Sequence, residues 1–245
     1  MNDLPGNHAE STAAKQLPRR AMLALLLLLP APSLGTAASL IFWPEAPLGK
    51  ALFVITKLWV SLLPLAWLLL VDRQRPSWSP ARKGGFGMAA LSGLLIAAVI
   101  LGIYHVALRL GFINPEAIAS TAAQTGLNRI GFYIVGAVYW ITLNSLMEEY
   151  VWRWFTFRKF EAILPGRLAV VATGLGFTAH HVVALAAQFD WRITLLGSLG
   201  VFMGGLVWSW LYLRYRSVWP CYLSHAIVDA PIFWIGYDLI FRRAG

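Results

Sequence analysis

Long apolar runs alternate with short basic or Gly/Pro-marked stretches along the chain, and seven of them supply the roughly 20 residues that a bilayer-crossing helix needs. They cover residues 21–43, 48–71 and 86–110, then a run that starts near 130, then 168–188, 193–213 and 218–240. The fourth contains NSLMEEYVWRWF, residues 144–155, in which two acids and an arginine sit inside an aromatic stretch. The seventh is the most interrupted, because Pro220, His225, Asp229, Pro231 and Asp238 all fall in it. Such a helix must face protein or a water-filled cavity, since lipid cannot satisfy freed backbone groups. The pattern predicts an all-α, polytopic transmembrane helical bundle of about seven spans, with six to eight compatible.

Composition agrees: 58% of the 245 residues are hydrophobic and 13% are charged, against roughly 25% charged in soluble domains. The net charge of +9 would fit a nucleic-acid binder only if it were gathered in one patch. Instead thirteen of the twenty Lys and Arg residues lie in one alternate set of loops, at Lys15 to Arg20, Arg73 to Lys83, Arg153 to Arg167, and Arg214 to Arg216. That bias orients membrane helices, with the basic side and the N-terminus cytoplasmic, and no nucleic-acid partner is expected. Residues 21–43 also fit a signal peptide, but a retained helix kinked at Pro30 or Pro32 suits a polytopic chain better. Residues 1–20 are expected to be a polar, disordered leader. Cys221 is alone, so it forms no intramolecular disulfide. Nothing in the sequence sets an oligomeric state.

Ionisable residues inside spans are costly and usually mark function. Here they concentrate in three spans: Glu148, Glu149 and Arg153 in the fourth, His180 and His181 in the fifth, His225, Asp229 and Asp238 in the seventh. Residues four apart share a helical face. Glu149 is therefore expected to pair with Arg153, Phe177 to sit beneath His181, and His225 to stack on Asp229, while Glu148 points about 100° away from Glu149. His180 is expected only to hydrogen-bond between helices. Gly197, Gly200, Gly204 and Gly205 suggest close helix packing, and Trp152, Trp154, Trp208, Trp210 and Tyr212 suggest interface belts.

EEYVWR (148–153), FTAHH (177–181) and HAIVD (225–229) resemble, in order, the EExxxR, FxxxH and HxxxN/D motifs of the CPBP family. These intramembrane proteases include type II CAAX prenyl endopeptidases and bacteriocin-processing or Abi-like members. The resemblance covers about residues 130–235. It divides the chain into the leader, residues 21–125 with the first three spans, and a catalytic core at 126–245. It implies an integral protein of a bacterial inner membrane that hydrolyses a membrane-anchored protein or peptide. It further implies that Glu148 activates a water shared with His181, that Glu149 and Arg153 support it, that Phe177 contacts substrate, and that His225 and Asp229 occupy oxyanion-stabilising positions.

Peptide hydrolysis needs a base near neutral pKa within reach of water and donors aimed at the developing oxyanion. An ionised Asp229 only accepts hydrogen bonds. It is therefore either protonated or, as favoured here, orients His225. No cofactor is expected. The competing readings are a zinc metalloprotease built on the same Glu, His and Asp residues, although no HExxH is present, and a transporter, proton relay or scaffold.

Overall fold

The structure, a computed structural model, describes the backbone of residues 6–243 and side chains from residue 17 onward. Residues 1–5 of the expected leader lie outside it. All regular elements among the described residues are helical, and the chain is an integral membrane protein. Six helices are long and apolar enough to cross a membrane: Leu17–Phe42, Pro47–Leu70, Phe86–Arg109, Ile130–Glu161, Gly166–Ala186 and Trp191–Tyr215. The seventh expected span is also a helix, Val218–Tyr237, but its polar residues keep it out of that set. Its Ser224, His225, Val228 and Pro231 are buried, as expected for a polar helix that must face protein.

Two compact units are present, residues 1–80 with 150–214, and residues 81–149 with 215–245. The first holds α1 (Gly6–Leu28), α2 (Pro30–Ala37), α3 (Pro47–Leu70), α8 (Arg158–Glu161), α9 (Gly166–Ala186) and most of α10 (Trp191–Tyr215). Pro30 starts α2 in the position where a missing N–H costs nothing, and Leu29 before it keeps helical dihedrals. Trp59 Nε1 of α3 donates to Leu27 O at 2.9 Å. Gly205 brings α10 against α9: a Cβ there would lie 3.2 Å from Gly174 Cα. The expectation of close packing holds for Gly205, but Gly200 meets nothing within 4 Å.

The second unit holds α4 (Phe86–Arg109), α5 (Pro115–Gln124), α6 (Ile130–Tyr139), α7 (Ser145–Glu149) and α11 (Val218–Tyr237). Helices α4 and α11 lie side by side. Ser92 and Ser224 hydroxyls meet at 3.1 Å, and a Cβ on Gly93 would sit 3.0 Å from Ser224 O. Tyr133 Oη donates to Phe233 O at 2.6 Å, which ties α6 to the stretch of α11 that follows Pro231. The short α5 had no signal in the hydropathy pattern. It is started by Asn114, whose side chain accepts from Ala117 N, with Pro115 in the first turn.

The helix that carries the acids is not a plain α-helix. Between α6 and α8 two stretches, Trp140–Asn144 and Tyr150–Phe157, widen to the π form and flank α7. π turns recur at functional sites. Hydroxyls reach back five residues across both: Ser145 Oγ to Trp140 O and Thr156 Oγ1 to Val151 O, each at 2.8 Å.

Candidate active site

In the second unit the site grows from α7 and α11. The π turn before α7 and the packing of α11 bring Glu148, Glu149, His225 and Asp229 into one cluster. Glu149 is fully buried, and its Oε1 lies 2.8 Å from His225 Nδ1. A carboxylate accepts, so Nδ1 carries the proton. Nε2 of the same ring faces Glu148 Oε2 and Asp229 Oδ1, each at 3.7 Å. That distance exceeds a hydrogen bond. His225 is therefore oriented by Glu149. Asp229, which the four-residue spacing had favoured for that task, keeps its Oδ1 at ion-pair distance from Nε2, one turn along the helix. Spacing along one helix could not reveal a partner on another.

Two residues that sequence reasoning passed over complete the cluster. Asn144 Nδ2 donates to Glu148 Oε1 at 2.8 Å, which fixes that carboxylate and leaves Oε2 turned toward His225. Ser145 Oγ lies 2.6 Å from Asp229 Oδ2 and is fully buried. A hydroxyl–carboxylate contact of 2.6 Å falls in the charge-assisted range of about 2.5–2.7 Å. The signal was available, since the polar pair opens the same NSLMEE stretch one turn before the acids. Glu148, with 17% of its side chain exposed, is the reachable acid, against 0% for Glu149.

The first unit holds the other motif residues. His181 Nδ1 lies 2.9 Å from Phe177 O. A carbonyl has no proton to give, so Nδ1–H donates, and a neutral ring then has its lone pair on Nε2. The expected stack is present, with Phe177 and His181 ring centroids 4.6 Å apart. Arg153 is fully buried. Its guanidinium lies over Phe177 at 4.8 Å and Trp208 at 5.1 Å, and reaches Gly205 O at 3.5 Å.

Phe177, for which the resemblance implies a substrate contact, is 2% exposed and packs under Arg153, Trp152 and His181. Two expectations need correction here. Trp152, Trp154, Trp208 and Tyr212 are buried, and only Trp210 of the five is exposed; Trp208 faces the buried Arg153 guanidinium, and the other three pack on neighbouring rings. His180 does not bridge helices by hydrogen bonds. It stacks on Trp152 at 3° between ring planes, and its buried Nδ1 has no hydrogen-bond partner among the described residues.

With this geometry in place, comparison with known families is decisive for the segment that carries the motifs: residues 130–231 match the family described as type II CAAX prenyl endopeptidase Rce1-like. That segment is similar to Rce1-like proteins over 130–231, less than half of the chain. The family is one of proteases, and CPBP proteins are the family that the three motifs resemble. The matched segment contains all of α6 through α10 and most of α11, so every motif residue lies within it. No curated protein and no solved structure matches the chain.

Proposed function

We propose that the chain is an intramembrane endopeptidase of glutamic type. Glu148 takes a proton from water as the water oxygen attacks the scissile carbonyl carbon, and His181 Nε2 shares that water. When the C–N bond breaks, the held proton passes to the leaving amine. Glu149 holds His225 through Nδ1, and His225 faces the oxyanion through Nε2. Because Nδ1 is already donated to Glu149, an Nε2–H exists only on the doubly protonated ring, so His225 works as imidazolium in this reading. Asp229, held by Ser145, stays ionised beside it and supports that charge.

The observation that carries the proposal is the inequality of the two acids. Glu149 is sealed and bonded, whereas Glu148 is held by one oxygen and reachable at the other. A general base must be both positioned and accessible. The substrate class is a membrane-associated protein or peptide: a CAAX-type tail, a propeptide or a C-terminal sorting tail. The host membrane in this reading is the bacterial inner membrane, with the N-terminus cytoplasmic. No cofactor is required.

The test is a comparative peptidomic profile of membranes holding the wild-type protein, Glu148→Gln or His181→Ala at matched expression. The expected result is one tail or propeptide that persists uncut in both variants, with cleavage reduced about 100- to 10,000-fold, the range of general acid–base catalysis. Identical profiles in all three would sink the catalytic reading. Loss of wild-type cleavage on chelation, with recovery on adding zinc, would replace it with the metalloprotease.

A further inference from the structure

A cavity of about 200 Å³ opens in the first unit, away from the residues assigned to catalysis. Its walls come from three span ends: Leu17 to Ala21 where the first span begins, Leu68 to Gln74 where the second finishes, and Trp154 to Ala162 where the fourth finishes. Those ends all belong to the basic-loop side of the chain, so the cavity sits at the boundary between apolar membrane and water.

Its chemistry is divided. One wall is apolar, with Ala21, Leu68 and Phe155 buried, while Leu69 and Leu70 beside it are exposed along α3. The mouth carries three cations, Arg20, Arg158 and Lys159, and one acid, Asp72. Lys159 Nζ is 2.5 Å from Asp72 Oδ2, Arg20 Nη1 reaches Val71 O at 3.4 Å, and the lining as a whole carries three cations against one acid. Arg158 is spread along the rim, reaching Gln74 Oε1 at 3.5 Å and lying 5.8 Å from the Trp154 ring. Both contacts are long and to uncharged groups. They hold the guanidinium in place yet leave its donor fork able to turn to an anion.

We infer that this cavity is a binding site for a phosphate-bearing anion, with the guanidinium groups of Arg20 and Arg158 as its ligands. The two sources of that chemistry are the headgroup of an anionic phospholipid, whose acyl chains would run down the exposed leucines of α3, and a soluble phosphate ester. Basic pockets at the ends of membrane helices bind lipid headgroups by this combination of charge and adjoining apolar wall. The Lys159–Asp72 pair joins α3 to α8 and keeps the mouth open.

The full-length protein is purified in detergent and titrated with phosphatidylglycerol, phosphatidylcholine or inorganic phosphate, with bound lipid counted by native mass spectrometry and thermal unfolding followed in parallel. Phosphatidylglycerol is expected to bind saturably and raise the unfolding temperature, and phosphatidylcholine to bind at least tenfold more weakly. Arg158→Gln and Arg20→Gln should each weaken binding about tenfold, as loss of one charge-assisted contact does. Arg167→Gln, outside the cavity, should leave it unchanged. Competition by millimolar inorganic phosphate assigns the soluble source, and its failure to compete assigns the lipid. The site is refuted if phosphatidylcholine binds as tightly as phosphatidylglycerol, if no probe binds, or if both cavity variants keep wild-type affinity. Should Arg158→Gln fail to fold, Arg20→Gln decides, because that side chain is exposed.

Discussion

The centres of the two units satisfy buried charge by opposite means. In the first, Arg153 is surrounded by the faces of Phe177 and Trp208 with a backbone carbonyl nearby. In the second, Glu148, Glu149 and Asp229 have directional donors at 2.6–2.8 Å: Asn144, His225 and Ser145. A π face attracts a cation over a broad area, whereas a carboxylate is held by a donor of fixed direction. The aromatic cage therefore tolerates displacement and carries stability, while the donor set fixes oxygen positions to the accuracy that proton transfer needs.

The sharpest way to break that contrast is to remove the cation. Arg153→Ala leaves the cage unfilled and is expected to cost about 2–5 kcal/mol, as truncation of a large buried side chain does. Arg153→Lys should recover only part, because an ammonium lacks the planar stacking surface. Thermal unfolding in detergent measures both. Full recovery by Lys would mean that charge alone matters and that the rings are bystanders.

Next in size is the cage wall. Trp208→Leu, at a position 3% exposed, should cost about 2–3 kcal/mol, while Trp210→Leu, at 43% exposed, should stay within about 0.5 kcal/mol. Equal losses at the two positions would restore the interface-belt expectation. Below these comes Glu149→Gln, which exchanges a charge-assisted bond to His225 for a neutral one. The expected loss is about 1–2 kcal/mol, with a fall in cleavage that exceeds what the lost stability explains. Wild-type cleavage would remove Glu149 from any role in orienting the ring.

These expectations also mark what was legible in the chain. The spans could be read because twenty apolar residues in water-filled surroundings have few other fates, and the motif acids and histidines stood out because charge in hydrocarbon is rare. The i to i+4 rule correctly placed Phe177 under His181, since that relation lies within one regular helix. It placed Asp229 beside His225 as well, at 3.7 Å, but could not reveal the second partner, Glu149, which is 76 residues away. It also could not foresee the π turns around α7, because that widening depends on surrounding packing more than on local propensity. The tryptophans misled for a related reason: their amphipathic rings suit a membrane interface and a buried guanidinium equally, and sequence does not say which is nearby.

The smallest effect tests the directional half of the contrast most finely. Ser145 Oγ has one proton and two acceptors in reach, Trp140 O at 2.8 Å and Asp229 Oδ2 at 2.6 Å. Trp140 O already receives the Ser145 backbone N–H, so the hydroxyl proton is better used on Asp229. Ser145→Ala keeps the backbone bond and removes only the hydroxyl, and its cost, about 1 kcal/mol, should fall on Asp229. A double-mutant cycle with Asp229→Ala isolates the pair. A coupling above about 1.5 kcal/mol is the signature of a bond to a charged group and would mean that Asp229 is ionised and accepts. A coupling near 0.5 kcal/mol would mean that the carboxyl is neutral, that Ser145 donates to Trp140 O, and that Asp229 itself is the donor in that contact.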